Sequence, residues 1–245
     1  MRSYTALIAA LWAGVAVAVP AGCVVGISAA RETKARTTFA NKQLIPGVVA
    51  PSWDPTLEVI PVYNQNKIVN FGNAFSTLGM YYPSPVTEPT IVLPIQRQHL
   101  IPSPTETTST PIIRFGAEPG FPPATTNYTL LIVDPDVPNP TTPALGFFLH
   151  QGLYDVHPNP NCGGKAGSLK TYRPYEALTP ASVDVHRYTF LVYRQPSRPF
   201  TPMPTAAQAG GALFDVQGFA ADNDLVLVGG NFLLEGASTV GQTGR

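Results

Sequence analysis

The sequence predicts a mainly β domain, because its apolar residues lie in short runs separated by proline and glycine. The 245 residues include 27 prolines and 21 glycines, and the runs between them are rich in valine, isoleucine, phenylalanine and tyrosine. β-Branched and aromatic residues favour strands, whereas proline and glycine end them. The length is enough for one domain with a substantial core. We therefore expect short strands and constrained loops, with few and short helices.

The charge content excludes one class of partner. Charged residues make up 12% of the chain, and the formal net charge is zero. Binding to nucleic acid or to an anionic membrane surface requires a concentration of positive charge. The sequence therefore predicts no nucleic-acid partner.

Residues 1–18 have the pattern of an export signal. Arg2 supplies the positive end, an apolar stretch follows, and the small residues Ala-Val-Ala form a cleavage point. The pattern predicts a secreted protein whose mature form begins near Val19 and has no stable membrane span. The alternative is an uncleaved signal anchor that tethers the protein to a membrane, because apolar residues resume after Pro20. Pro20 and Gly22 interrupt that stretch, and a span needs about 20 predominantly apolar residues.

Two further features are consistent with secretion. Cys23 and Cys162 could form one disulfide in an oxidising compartment. Cleavage of the signal near Ala30 would instead remove Cys23 and leave Cys162 alone. Asn127 opens an Asn-Tyr-Thr glycosylation sequon, although it lies where a strand is expected to begin.

The first half of the chain contains one predicted helix and three predicted strands. Residues 31–44 have a polar, helix-compatible composition, and the Ile-Pro-Gly sequence at 45–47 ends them. Short apolar runs bounded by turn residues predict strands at 57–63, 67–69 and 112–115. Prolines divide the chain between 83 and 104 into pieces too short for helices.

The second half contains the two strands expected at the centre of a sheet. Residues 128–133 and 187–193 are continuous runs of β-branched and aromatic residues, which is typical of strands buried on both faces. A further strand is predicted at 146–150, and a long loop at 159–168. Residues 215–221 are compatible with a short helix, and residues 225–228 with a last strand.

A candidate binding site follows the first central strand. Its segment 134–138, Asp-Pro-Asp-Val-Pro, contains two prolines that fix φ and remove two amide donors, so the carboxylates are held at the end of the strand. His150 ends one predicted strand and His186 begins another, so two imidazoles could converge on these carboxylates. Such a group could bind a small anion through imidazolium and backbone donors while the carboxylates orient the imidazoles.

Each part of this candidate site also has a purely structural interpretation. Asp-Pro pairs often form simple turns at strand ends. A single buried histidine is often a hydrogen-bonded core residue. The combination of the acidic segment with two histidines favours a site.

Three motifs resemble those of the phosphatidylethanolamine-binding protein family. Tyr128-Thr129-Leu130, followed by Asp-Pro-Asp-Val-Pro at 134–138, resembles one family signature, and His186-Arg187-Tyr188 resembles the second. Phe148-Leu149-His150 resembles the histidine-bearing strand between them. The resemblance extends roughly from residue 39 to residue 234. It implies a central β-sandwich with a few short peripheral helices at 39–245, preceded by a variable segment at 19–38.

The resemblance also implies a pocket for a phosphate-type headgroup or another small anion. Carried over by position, the pocket residues are Asp134, Asp136, Pro138, His150, Tyr175, His186 and Tyr188. One segment departs from the family pattern, in which small residues before the second signature let backbone amides approach the anion. Residues 175–185 contain no glycine here, and Asp184 adds a negative charge.

The resemblance implies a non-catalytic protein that binds a phospholipid headgroup or small anion without a cofactor. The alternative is an inhibitor of a protease or of a kinase pathway that acts through a protein-binding surface, because the family includes inhibitors of carboxypeptidase Y and of Raf kinase. The sequence contains no Gly-x-Ser-x-Gly, His-Glu-x-x-His, phosphate-loop or Cys-x-x-Cys motif. A metal-dependent hydrolase that uses the same aspartates and histidines is therefore the least favoured reading.

Overall fold

The computed structural model describes residues 25–64, 67–76, 106–143, 146–158, 169–180, 184–202 and 211–236. The helices in these ranges are α1 (Ala29–Asn41) and α2 (Val216–Asp222). The strands are β1 (Val59–Tyr63), β2 (Lys67–Ile68), β3 (Asn73–Ser76), β4 (Ile112–Phe115), β5 (Tyr128–Asp134), β6 (Phe148–Val156), β7 (Lys170–Arg173), β8 (His186–Arg194) and β9 (Val226–Gly236). The predicted mainly β class is confirmed.

The strands form two sheets. The larger has the order β3-β9-β8-β5-β6-β7, and the smaller has the order β2-β1-β4. All neighbouring strands are antiparallel except β3 and β9, which are parallel. Every residue of β5 is buried, and its neighbour β8 is buried at all but its second and last residues. The prediction of two central strands is therefore confirmed.

The large sheet has a separate apolar core on each of its faces. Successive side chains of a strand point to opposite faces, and on β5 this places Leu130 and Ile132 in one core and Leu131 and Val133 in the other. The first core lies against the small sheet and includes Val59 and Phe115. The second core lies against the helices and includes Phe39 and Phe219. The arrangement is a β-sandwich with helices on its outer face.

Helix α1 begins and ends earlier than the predicted 31–44. Ser28 caps it, because its hydroxyl accepts a hydrogen bond from the Arg31 amide at 3.4 Å. Beyond Asn41 the backbone of Gln43 adopts a positive φ of 55°, which ends the helix. Ala35 and Phe39 are buried in the second core, so the packed structure begins within the segment predicted to be variable.

Strand β9 is longer than predicted. The apolar pattern predicted a last strand at 225–228, whereas β9 continues to Gly236. Gly229 lies inside β9 because the chain passes close by: a Cβ there would be 2.8 Å from the Leu57 carbonyl oxygen and 2.7 Å from the Val59 side chain. Glycine is therefore needed at this position for close packing and does not end the strand.

Several sequence predictions lie outside the described residues. These are the export signal at 1–18, the two cysteines Cys23 and Cys162, and the whole predicted loop at 159–168. Neither α1 nor α2, the helices of the described ranges, is long and apolar enough to cross a membrane.

Candidate functional site

The candidate site is built around a hydrogen bond between Asp134 and His186. Because β5 and β8 are antiparallel neighbours, with Val133 paired to Thr189, the end of β5 lies close to the start of β8. His186 Nδ1 donates to Asp134 Oδ2 at 2.7 Å, and both side chains are almost completely buried. A carboxylate can only accept, so this contact fixes the proton of His186 on Nδ1.

The second oxygen of Asp134 holds the segment that follows the strand. Asp134 Oδ1 accepts a hydrogen bond from the Asp136 amide at 2.8 Å, which is the geometry of an Asx turn. The turn and the imidazole contact use the same carboxylate. Asp134 therefore positions both the acidic segment and His186.

Asp136 contacts an arginine instead of an imidazole. Its Oδ2 accepts from the Arg187 amide at 2.8 Å and from Nε at 2.9 Å, and its Oδ1 accepts from Nη2 at 2.5 Å. Arg187 Nη1 also donates to the Lys42 carbonyl at 2.6 Å. These bonds tie the acidic segment to β8 and to the end of α1. Arg187 belongs to the second family motif, but the sequence pattern predicted no role for it in the site.

His150 lies on β6, next to the same end of β5. His150 Nδ1 is 3.0 Å from the Glu176 carbonyl oxygen, and the Glu176 amide donates to the His150 carbonyl at 2.9 Å. A carbonyl oxygen cannot donate, so Nδ1 carries the proton and Nε2 is the acceptor of the neutral ring. This reciprocal pair attaches residues 174–180 to β6.

Tyr188 lies between the two histidines. Its ring centroid is 5.3 Å from that of His150, at an interplanar angle of 78°, and 6.0 Å from that of His186, at 22°. Its hydroxyl is buried and has no hydrogen-bond partner among the described residues. A buried hydroxyl without a partner is uncommon, so this group is a candidate donor for a ligand.

The remaining predicted site residues lie at the edge of this group or point away from it. Pro138 follows a cis peptide bond and is half-buried. The Tyr175 hydroxyl donates to the Thr107 carbonyl at 2.6 Å, so it is not directed at the histidines. The predicted glycosylation residue Asn127 is half-buried, and its amide lies 3.4 Å from Asp155 Oδ1.

The surroundings separate the two histidines electrostatically. Burial lowers the pKa of His150, and this outweighs the opposing effect of the Asp134 charge. Burial also acts to lower the pKa of His186, but the hydrogen bond to Asp134 and the charges of Asp134, Asp136 and Asp184 raise it above its ordinary value. His186 is therefore the imidazole more readily protonated, and His150 is the neutral partner.

The same residues do not form a metal centre. Within the described ranges no group of three or more His, Cys, Asp or Glu side chains is arranged to hold a metal ion. The carboxylates of the site are already used, one by His186 and the other by Arg187. The arrangement offers a more readily protonated imidazole, a neutral imidazole and a phenol hydroxyl, which suits the binding of a small anion when His186 is protonated.

The motifs and this geometry agree with a match to a family model. Residues 93–232, more than half of the chain, match the family described as phosphatidylethanolamine-binding protein. The chain belongs to this family.

Two relatives illustrate its range. The 26 kDa secreted antigen of Toxocara canis is 27% identical over 166 residues, which are 67% of this chain. SELF-PRUNING of Solanum lycopersicum is 25% identical over 181 residues, 73% of this chain and 80% of that protein.

Coverage of the relatives is uneven. The match spans 48% of the Toxocara antigen and 54% of the protein MOTHER of FT and TFL1 homolog 2 of Oryza sativa, which is 31% identical over 101 residues. This chain therefore spans about half the length of some family members that it matches. What those whole proteins do is not transferred to it by the match.

Solved structures of the family share the fold. A carboxypeptidase Y inhibitor, solved in complex with its cognate proteinase, superposes with a TM-score of 0.63 at 20% identity, and the match covers 84% of this chain and 97% of the inhibitor. The phosphatidylethanolamine-binding protein of Plasmodium vivax gives a TM-score of 0.58 at 17% identity, covering 83% and 97%. The predicted family sandwich is confirmed.

Proposed function

We propose that this protein is a non-catalytic binding protein for a phosphate-type headgroup or another small anion. The proposed pocket consists of Asp134, Asp136, Pro138, His150, His186 and Tyr188, with Tyr175 behind it. The observation that carries the proposal is the buried hydroxyl of Tyr188, which lies between two imidazoles and has no hydrogen-bond partner in the part of the chain that the structure describes. A ligand oxygen would supply the missing partner for this hydroxyl.

The charges around the proposed pocket favour a singly charged ligand. The pocket contains the two carboxylates of Asp134 and Asp136, but a histidine and an arginine pair with them. His186 has a raised pKa and supplies positive charge when it is protonated, whereas the neutral His150 adds none. Asp184 lies close enough to His186 to raise its pKa, and its charge opposes that of an anion. We therefore expect modest affinity that depends on pH.

Calorimetric titration with phosphorylethanolamine tests the proposal. The parent protein should bind, and His150→Ala and His186→Ala should each weaken binding by roughly tenfold or more, because a hydrogen bond to a charged group contributes about 1.5 to 3 kcal/mol. His157→Ala is the matched control, since it lies beyond the other end of β6, roughly 23 Å away at 3.3 Å per residue. No parental binding, or binding that neither variant changes, would refute the proposed pocket.

Inhibition of a protease is a second proposal. It is supported by the structural match to a carboxypeptidase Y inhibitor, which covers 84% of this chain. Residual activity of carboxypeptidase Y should fall when this protein is added at equimolar concentration. Inhibition that survives His150→Ala and His186→Ala would place the inhibitory surface outside the pocket. Unchanged activity at a large excess would refute this second function for that enzyme.

We also propose that the protein is secreted. The support is the export pattern of residues 1–18 and the description of one relative as a secreted antigen. N-terminal sequencing of the mature protein should begin near Val19.

Alkylation without reductant should leave Cys23 and Cys162 unlabelled if they are paired, and a free thiol at either position would contradict the disulfide.

A further inference from the structure

A second polar cluster lies next to the candidate pocket and is centred on Glu235. We define the Glu235 cluster as Glu235, Thr107, Tyr63 and Tyr175. Glu235 lies on β9 directly opposite His186 on β8, and directly paired residues of antiparallel strands project from the same face. Glu235 and Thr107 are completely buried. The cluster therefore adjoins the pocket within the same core.

Thr107 can form a full hydrogen bond with both Glu235 and Leu178 at once only if Glu235 carries a proton. The Thr107 hydroxyl oxygen is 2.9 Å from both carboxyl oxygens of Glu235 and 3.1 Å from the Leu178 carbonyl oxygen. A hydroxyl has one proton to donate. If Glu235 were ionised, this single proton would face three acceptors. If Glu235 is a carboxylic acid, it donates to Thr107 and Thr107 donates to Leu178.

The electrostatic surroundings agree with this proton count. Burial raises the pKa of Glu235 to about 8, although the Thr107 hydrogen bond acts in the opposite direction. Two charged groups that act on Glu235, Glu106 and Lys67, form an ion pair with each other, and their effects on the pKa of Glu235 oppose one another. The other titratable groups facing the carboxyl are Tyr63, Tyr175 and Tyr188, whose pKa values burial raises, and His186 with its partner Asp134.

Thr107 connects this carboxyl to the loop that carries the partner of His150. Its hydroxyl bonds to the Leu178 carbonyl, and its own carbonyl accepts from the Tyr175 hydroxyl at 2.6 Å. Between these two residues, Glu176 forms the reciprocal pair with His150. The chain of bonds therefore runs from β9 through Thr107 to residues 174–180 and then to His150.

We propose that Glu235 is a positioning residue: as a neutral carboxylic acid it holds residues 174–180, and through them His150, in the arrangement that binds an anion. Ionised Glu235 can no longer donate to Thr107 and instead accepts the Thr107 proton. Thr107 then no longer donates to the Leu178 carbonyl, so the loop loses one of its two bonds to Thr107. The effect on ligand binding rests on the function proposed above. The effect on the loop does not.

Glu235→Gln is the variant that separates these effects. A carboxamide has nearly the same shape, donates to Thr107 as the acid does, and cannot ionise. Nuclear magnetic resonance of the unliganded parent should show the Glu176 amide and the His150 ring signals changing together between pH 7 and pH 9, and the side-chain carboxyl carbon of Glu235 titrating in step. In Glu235→Gln these signals should keep their pH 7 positions. A Glu235 carboxyl that titrates near pH 4 to 5, or a loop that does not respond, overturns the proposal.

Thr107 supplies an independent pair of variants. Thr107→Ser keeps the hydroxyl and should preserve the signals of the parent, whereas Thr107→Val is nearly isosteric, lacks the hydroxyl and should give the high-pH signals already at pH 7. Between pH 7 and pH 9, the affinity of the parent for phosphorylethanolamine should fall roughly tenfold more than the affinity of Glu235→Gln. A tenfold change corresponds to the loss of about one hydrogen bond. Equal pH dependence in the two proteins overturns the link to binding. A loop transition without binding at any pH refutes the pocket but supports the positioning role.

Discussion

The Asp136 carboxylate accepts three hydrogen bonds from Arg187, one from its backbone amide and two from its guanidinium group. Asp136 is completely buried, whereas the guanidinium group remains partly accessible. This pair connects the segment after β5 to the start of β8, and the same arginine reaches the end of α1. It therefore joins three parts of the chain that surround the candidate pocket.

Arg187→Ala should destabilise the protein by about 3 to 5 kcal/mol, because it leaves the Asp136 charge buried without its partner. The free energy of unfolding in urea measures this. The matched control is Arg198→Ala, which breaks the exposed ion pair with Asp224 and should cost about 1 kcal/mol or less. Equal losses in the two variants would show that the Asp136 pair has no special importance for the fold.

Tyr188→Phe should weaken anion binding without weakening the fold. The hydroxyl that it removes has no hydrogen-bond partner within the described ranges, so its loss should leave the free energy of unfolding unchanged or raise it by about 1 kcal/mol. Tyr128→Phe is the contrasting variant, because the Tyr128 hydroxyl donates to Glu118 at 3.2 Å, and its loss should destabilise. A strongly destabilised Tyr188→Phe protein would mean that the hydroxyl has a structural partner.

Asp134→Asn should lower the pKa of His186. The hydrogen bond and the charge of Asp134 both raise that pKa against the effect of burial, so burial should dominate once they are weakened. Titration of the His186 ring protons by nuclear magnetic resonance measures the shift. Asp184→Asn should lower the pKa by less, because the charge of Asp184 raises the pKa of His186 less than Asp134 does. If the pKa of His186 is the same in Asp134→Asn and the parent, Asp134 does not set its protonation.

The stability of the protein should decrease as pH rises through the neutral range. Burial raises the pKa of Glu235 from its ordinary value of 4.5 to about 8 in the folded protein. Its contribution to stability is therefore fully present below about pH 4.5 and is lost progressively as pH rises toward about 8. Glu235→Gln cannot ionise and should lack this decrease. The difference between the two unfolding free energies across pH isolates Glu235 from the histidines.

Identical pH dependence of stability in the parent and Glu235→Gln would show that Glu235 ionises equally in the folded and unfolded states. Such a result would contradict its burial as an acid. Asp155→Asn is a suitable control, because that carboxylate lies in an ion pair with Lys170 away from the pocket. The control should retain the decrease seen in the parent.

The sequence predicts the central strands and the Asp134–His186 contact for physical reasons. Long runs of β-branched and aromatic residues identify β5 and β8, and polar residues at the ends of neighbouring antiparallel strands meet. The short edge strand β3 escapes prediction, since Asn73–Ser76 has no apolar alternation and its parallel partner β9 lies far along the chain. Glu235 escapes for the same reason: its burial depends on Thr107, 128 positions earlier.

If the proposed pocket holds a phosphate group, the hydrogen-bond direction at His150 favours a ligand that carries a proton as well as a charge. With Nδ1 donating to Glu176, the neutral ring offers a lone pair at Nε2. A doubly ionised phosphate placed there would direct an oxygen lone pair at the lone pair of Nε2, and the two would repel each other. A monoprotonated phosphate could donate its hydrogen to Nε2 and present its ionised oxygens to His186. Because the second pKa of a phosphate monoester is about 6, binding near neutral pH should draw one proton from the buffer. Diesters, which have no such proton, must instead protonate His150 against the effect of its burial.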